Sequence, residues 1–501
     1  MRSSNKNQAD ICLILEGTYP YVMGGVSQWT HDLILNLPDL SFHLLSIVPR
    51  LNGMDLQYEL PHNVLEISSI ELQGLPAGKS RLPHQEKLFE RLRDPLLKLH
   101  SEGQLENLER VLDILAPHKD KLGKRILLES PEAWEFMVDM YQSHFSGKSF
   151  LDFFWSWRGL YESLFAALLT ELPKAHTYHA ISTGYAGLVA ARAAIETGQP
   201  ALLTEHGIYT NERRIEIAMS DWVREEPIAR LTIQKENPDM KDFWSNTFAN
   251  YSKICYSACT KVITLYKGNQ KFQESDGAAP EKFEIIPNGI DYQNYSEIPV
   301  EETTGPTIAL IGRVVPIKDI KTFIRAAGVL KKSFPDLTAY VIGPTDADVP
   351  YYEECLNLVT HLGLENTVSF TGRVDTRDYL GRIQVNVLTS ISEAQPLVIL
   401  EAGALGIPTV ATDAGSCVEL ILGHNPESSS LGPAGEITPL SNPSATACAI
   451  ARLLNDEKWY ALCGNASKER VRRFYNKTEL IHRYRELYQN YSTADKIPVE
   501  V

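Results

Sequence analysis

The chain has 501 residues, 44% hydrophobic and 22% charged, a globular composition too long for one compact core and suited to two or three domains rather than to a fibre or a disordered tail. Forty-eight Lys and Arg against 63 Asp and Glu leave a net charge of −15, so no global field favours nucleic acid and none is expected as a partner. No apolar run approaches the ~18 residues of a membrane span, and the start of the chain reads neither as signal peptide nor as anchor. Together with seven scattered cysteines, this favours a reducing cytoplasm. Cys255 and Cys259 lack a second pair to complete a zinc site and are expected as two buried thiols on one helix face.

In chain order, residues 11–15 form a short apolar strand, and 19–27, carrying Gly24 and Gly25, form a glycine turn into a helix through Trp29, Leu33 and Leu37. A second strand at 42–48 suits an alternating β/α plan, because parallel strands need helical crossovers. From about 75 to 169 the sequence turns helical and charged, with Leu105, Leu108, Val111, Leu112 and Leu115 marking an apolar face. This is a helical insertion that names no chemistry. Strand signals return at 175–182, 201–205 and 261–265. Residues 297–306, with two prolines and no periodicity, are the linker candidate. They divide an N-terminal Rossmann-like domain, 1–300, from a C-terminal one, 305–475, and a last helix within 476–501 is expected to pack back on the first.

Beyond the linker the alternation is regular. Strands are expected at 307–311, 337–342, 368–370, 385–389 and 408–412, with helices at 319–334, 352–362, 376–382 and 396–405 between them. That is a doubly wound parallel sheet. Two such domains bring two sets of strand C-terminal ends to one cleft, and ligands of open α/β sheets bind beyond those ends.

The segment 390–408 is the most informative stretch. Pro396 suits a first helical turn, which tolerates a missing N–H, and Gly406 with Pro408 ends that helix. Backbone donors around Gln395, Pro396 and Leu397 would then form an anion site that needs no basic side chain. Glu393 lies just before the helix and Glu401 within it. At that spacing they cannot be a close carboxylate pair, and they suit contacts to two parts of one ligand. Arg313, after Gly312 at the end of a strand, and Lys318 add two cations at the same end of the domain. Together they suit a diphosphate.

The joint pattern of Gly312-Arg313 with Lys318, Gly343-Pro344, Thr371-Gly372-Arg373, Glu393 seven residues clear of Glu401, the run from Gly406 to Gly415, and Ile286 to Asp291 resembles the C-terminal donor domain of retaining family 4 glycosyltransferases of the GT-B fold. In the N-terminal half, Glu16 to Pro20, Gly24 to Trp29, Tyr178-His179 and Thr204 to Tyr209 resemble the PelF branch of that family, of Pel exopolysaccharide synthesis.

The resemblance implies that Arg313 and Lys318 hold the donor diphosphate, with backbone help at Gln395, Pro396 and Leu397. Glu401 would hold the ribose hydroxyls, and Glu393 the donor sugar. His206 would face the sugar from the other domain, while Gly24 and Gly25 admit phosphate and acceptor close to backbone. It further implies a UDP-sugar as co-substrate, no required cofactor or divalent metal, and a growing polysaccharide as acceptor. Membrane-embedded components of a synthase complex, with recruitment to the inner membrane face, are admitted as partners. Each residue has a structural alternative: a packing or capping role for His206, a tight turn for Gly24 and Gly25, a helix cap for Glu393.

Asp346-Ala347-Asp348 spells a metal-diphosphate motif of another glycosyltransferase fold but falls in a loop unsuited to it. Gly78-Lys79-Ser80 and Gly147-Lys148-Ser149 lack the first glycine of a phosphate loop. A nicotinamide oxidoreductase would need a G-x-G-x-x-G turn that is missing. The remaining rivals are a nucleotide-sugar epimerase and a catalytically silent subunit of a polysaccharide synthase.

Overall fold

The computed structural model describes residues 8–219 and 240–492. The chain divides into two units. The first comprises the chain to Thr264, Gln270–Glu284 and everything from Tyr484, and the second comprises Leu265–Asn269 and Ile285–Arg483.

The first unit is built on a seven-stranded sheet. Its strands are β1 (Ala9–Glu16), β2 (Phe42–Val48), β3 (Val64–Glu71), β4 (Ala175–Ala180), β5 (Ala201–Glu205), β6 (Lys261–Thr264) and β7 (Phe283–Ile285), in the order β3-β2-β1-β4-β5-β6-β7. Pairing is parallel from β3 through β6. β1 reads as a continuous apolar run, with Ile11 to Leu15 fully buried, because both faces of a parallel sheet are covered, and β2 is buried along its whole length, His43 and Ser46 included. The second unit has six strands, all parallel: β8 (Thr307–Ile311), β9 (Thr338–Ile342), β10 (Val368–Gly372), β11 (Val385–Leu388), β12 (Thr409–Thr412) and β13 (Gly435–Thr438), in the order β10-β9-β8-β11-β12-β13. In each sheet the strand order reverses once, between β1 and β4 and between β8 and β11. These are the switch points, where diverging crossovers leave a crevice beyond the strand ends.

Between β3 and β4 the helices Gln85–Ser101, Leu105–Leu115, Lys124–Leu127, Pro131–His144 and Phe150–Leu169 form the insertion. Ser130 and Ser149 start the last two of these, each side-chain oxygen accepting from a first-turn N–H at 3.1 and 3.3 Å. Leu92, Leu108 and Trp157 of the insertion share one core with Ile47 and Ile70 of the sheet, so the insertion packs into its domain. Helix begins at Gln85, ten residues later than periodicity suggests. The preceding loop is instead held in place by Lys124 N–H on the Pro76 carbonyl, 2.8 Å, and Lys79 N–H on that of Lys121, 2.9 Å.

Three strands that periodicity does not reveal, β3, β7 and β13, all lie at sheet edges. Edge strands are short or half-exposed, so they lack the apolar run that marks the central ones. The helix expected over 352–362 runs over Val349–His361, because Asp348 caps it and Pro350 fits its first turn. The one expected over 319–334 stops at Leu330. The last helix, Lys477–Ser492, places buried Tyr484 and Tyr488 in the core of the first unit, where Tyr488 meets His179.

Candidate functional site

At the switch point of the second unit, β8 runs into Gly312 and Arg313. Gly312 N–H donates to the Ile342 carbonyl at 2.8 Å and Val314 N–H to that of Pro344 at 2.9 Å. This approach requires Gly343: its φ is +146°, and a Cβ there would lie 2.2 Å from the Gly312 oxygen. A single 3₁₀ turn, Pro316–Lys318, follows, and the helix Ile320–Leu330 begins after Asp319. The loop after the neighbouring β11 is tied to this turn by Ile391 N–H on the Ile317 carbonyl, 2.8 Å.

The two loops join their charges. The Lys318 ammonium pairs with Glu393 Oε1, with 21% and 10% of the two side chains exposed. The Ser390 hydroxyl donates to the same oxygen. Arg313, one strand-end away, is exposed. Gly415, at φ +56°, lets a further loop press on this one, since a Cβ there would sit 1.9 Å from the Glu393 carbonyl oxygen.

The helix Leu397–Ala404 starts from Pro396, and no side chain caps it. Its first-turn donors, at Leu397 and Val398, therefore meet no protein side chain, and the positive end of the helix is available to an anion. Gln395 is buried, and its side-chain oxygen accepts from Asn288 N–H at 2.6 Å. That bond ties the 286–291 segment to the helix start and uses the side-chain oxygen of Gln395. Glu401, on the helix, accepts from the Tyr295 hydroxyl at 3.2 Å. Burial raises its carboxyl above the ordinary value, and the Tyr295 bond opposes that rise. Glu393 and Glu401 thus have different partners.

The first unit treats its own switch point differently. Glu16, last residue of β1, reaches the start of the helix Gly184–Thr197 and accepts from Tyr185 N–H at 2.9 Å and Ala186 N–H at 3.2 Å. The Tyr209 hydroxyl at 2.7 Å and Arg213 Nη2 at 3.3 Å complete its shell. The anion-binding end of that helix is already filled by the chain's own carboxylate.

Gly24 and Gly25 open the helix Gly25–Leu35. Gly24 is extended, at φ 171°, and a Cβ at either glycine would meet nothing within 4 Å. Neither backbone conformation nor packing within the chain demands glycine there. His206 follows β5, is buried, and lies edge-on to Trp29 of that same helix, with centroids 4.6 Å apart. Desolvation lowers its pKa to about 4, so the ring is neutral at pH 7, and its Nε2 is buried without a hydrogen-bond partner among the described residues. Below it His179 lies between the Tyr488 hydroxyl, 2.7 Å, and Thr204 Oγ1, 2.9 Å.

The structure therefore brings Lys318 and Glu393 into contact and sets Gln395, Pro396, Leu397 and Glu401 along one helix start beside them. His206 stands with Trp29 near Gly24 and Gly25 in the first unit. Sequence reasoning missed Ser390, Asp319 and Tyr295. Ser390 and Asp319 carry a faint signal, a hydroxyl three residues before Glu393 and a helix-cap pattern before Thr322. Tyr295 carries none, being 106 residues from Glu401. Asp348 spends its carboxylate on capping, accepting from Tyr351 N–H at 3.0 Å. Cys255 and Cys259 are buried, with sulfurs 3.7 Å apart. Among the described residues no group of three or more His, Cys, Asp or Glu is arranged to hold a metal ion.

An exopolysaccharide phosphotransferase of Streptomyces coelicolor is 31% identical over 216 residues, 42% of this chain and 21% of that protein. A D-inositol 3-phosphate glycosyltransferase of Kribbella flavida is 24% identical over 285 residues, 54% of this chain and 61% of that protein. The chain thus spans less than two thirds of either relative. Among solved structures, Anabaena HepE in complex with UDP matches 96% of this chain and 99% of its own, with a TM-score of 0.57 at 15% identity. That likeness gives the fold class as GT-B, with two Rossmann-like units, as the sequence leads one to expect. Residues 291–470 match the family model for glycosyl transferases group 1. Residues 9–281, more than half of the chain, match a domain of unknown function, DUF3492, and the chain belongs to that family.

Proposed function

We propose that this protein is a retaining glycosyltransferase of family 4, PelF branch, which transfers a hexose or N-acetylhexosamine from a UDP-sugar to a growing exopolysaccharide of the Pel type in the cytoplasm. The observation that carries the reading is the contrast between the two switch points. The helix start in the second unit is uncapped and Lys318 is paired with Glu393 in the loop just before it, whereas the equivalent start in the first unit is occupied by Glu16. A nucleoside diphosphate accordingly belongs to the second unit. The Streptomyces relative supports the exopolysaccharide assignment, and HepE, solved with UDP, supports the nucleotide.

In this reading Arg313, Lys318 and the backbone at Gln395, Pro396 and Leu397 stabilise the departing diphosphate. Each well-placed donor is worth ~3 kcal/mol as negative charge develops. Glu401, shaped by Tyr295, takes the ribose hydroxyls, and Glu393 contacts the sugar once the donor draws Lys318 to its phosphates. His206, neutral at pH 7, offers its unpartnered nitrogen to the sugar, and Gly24 and Gly25 leave space for the acceptor. The acceptor hydroxyl attacks from the leaving-group side, without a covalent nucleophile. With two cations and a helix end offsetting the diphosphate, no divalent ion is required. The test is to incubate the purified chain with a panel of UDP-sugars and oligosaccharide acceptors, with and without excess EDTA, following UDP release and product anomer by NMR. An α-linked product from an α-linked donor, formed in EDTA, supports the reading. An inverted product, or a donor altered without any acceptor, refutes it.

A further inference from the structure

Among the described residues three non-glycine residues have positive φ: His84, Asp319 at +44° and Ser441 at +51°. Two of the three touch, the Ser441 hydroxyl donating to Asp319 Oδ2 at 3.0 Å. Asp319 immediately follows Lys318. A left-handed conformation costs a residue with a Cβ, least for Asn and Asp, and persists where its surroundings hold it.

Here the surroundings are fully visible. The Asp319 carboxylate accepts from Thr322 N–H at 3.3 Å and from the Thr322 hydroxyl at 2.7 Å, in addition to Ser441. Its carbonyl and that of Lys318 both accept from Thr389 Oγ1, at 2.9 and 3.0 Å. The turns after β8, β11 and β13 therefore converge on one strained residue. Its left-handed backbone ends the 3₁₀ turn, and the Lys318 stem folds back along Gly312, where a Cβ would stand 3.5 Å from Lys318 Cε. The ammonium then reaches Glu393. Capping alone does not call for this geometry: the aspartate and asparagine N-caps at Asp291, Asp348, Asn425, Asn442 and Asp456 all have negative φ.

We infer that Asp319, locked by Ser441, is a positioning residue: it holds Lys318 where its ammonium meets the nucleotide diphosphate, without touching the ligand itself. The inference rests on the proposed donor site. It makes the left-handed turn a preorganising element, with the side chain of Lys318 aimed before the ligand arrives.

The test is a double-mutant cycle on the full chain, read as UDP affinity by calorimetry with folding checked by circular dichroism. Asp319→Ala should weaken UDP about tenfold, while Asp319→Asn, which tolerates the left-handed turn and keeps a capping oxygen, should stay within about threefold. In a Lys318→Ala background Asp319→Ala should weaken UDP no further, since a residue acting only through Lys318 has nothing left to position. Should Asp319→Ala fail to fold, Ser441→Ala replaces it, with a loss of about threefold that also vanishes in the Lys318→Ala background. Losses that add in the double mutant, or an Asp319→Ala protein that binds like wild type, overturn the inference while leaving the donor site standing. Wild-type protein that binds no UDP overturns both.

Discussion

The ammonium of Lys318 lies on the carboxylate of Glu393, a cation from the turn after β8 against an anion from the loop after the adjacent β11. The pair marks the one point in the second unit where the crossovers diverge, and both side chains are mostly buried. In the proposed reading, a lysine held there exchanges one anionic partner for another when a diphosphate arrives. This arrangement gives the first prediction.

Lys318→Ala should lower turnover more than ~30-fold at unchanged fold, a loss of about 2 kcal/mol of transition-state stabilisation, because a charge-assisted contact to the leaving group strengthens as charge develops. Steady-state kinetics with the best donor measures it. Wild-type turnover in that variant would return Lys318 to a purely structural pairing with Glu393.

The two glutamates should separate cleanly. Glu401→Ala should weaken free UDP and the intact donor alike, since a ribose contact contributes equally to ground and transition states. Glu393→Ala should leave UDP affinity within about twofold and lower sugar-dependent turnover by at least ~10-fold. Titrating both variants with UDP and with donor distinguishes these outcomes. Loss of UDP binding in Glu393→Ala, or none in Glu401→Ala, would reverse the nucleotide along the helix.

Glycine at position 25 serves nothing visible inside the chain. A Cβ there meets nothing within 4 Å among the described residues, so Gly25→Ala should leave stability unchanged or raise it by at most the ~0.5–1 kcal/mol that alanine gains within a helix, read as an unchanged or slightly higher melting temperature. If the proposed role of Gly25 holds, activity should nevertheless fall, because the added methyl would meet phosphate or acceptor. A variant with unchanged melting and unchanged kcat/KM would remove this loop from the site.

One buried carboxyl should be visible in the stability of the protein. Glu205 is pushed up to about 7 from 4.5, chiefly by desolvation, against hydrogen bonds from Gln273, Tyr256 and the Tyr209 backbone. A carboxyl raised in the folded state binds its proton more readily there than when unfolded. Its contribution is therefore full below about pH 4.5 and is lost as pH rises toward about 7. Melting temperature recorded from pH 4.5 to 8 should decline over that window in wild type and decline less in Glu205→Gln. Parallel profiles would mean that Glu205 is ionised throughout.

Much of this was legible in the sequence, for identifiable reasons. The central strands announce themselves because burial on both faces of a parallel sheet demands apolar runs such as 11–15 and 307–311. The helix at Leu397–Ala404 was bracketed by Pro396 and Gly406, whose backbone constraints act locally. The edge strands β3, β7 and β13 were not legible, because an edge tolerates polar residues such as those of Val64–Glu71. Nor were the contacts that aim the candidate residues. Tyr295 on Glu401, Ser441 on Asp319 and Asn288 on Gln395 join residues more than a hundred positions apart. No local pattern encodes such pairings. Gln395 shows the consequence: the sequence places it at the helix start, but only the fold reveals that its side-chain oxygen is already bonded to Asn288.

The central claim, a nucleoside diphosphate site at the switch point of the second unit, is tested most directly by calorimetric titration of the full chain with UDP in excess EDTA, in wild type and in Glu401→Ala. The account predicts a saturable, one-site heat for wild type and binding weakened at least ~10-fold in the variant, as expected for loss of a hydrogen-bonded charged group. No saturable binding by the folded wild-type protein would contradict it, and equal binding by both would reverse the nucleotide along the helix.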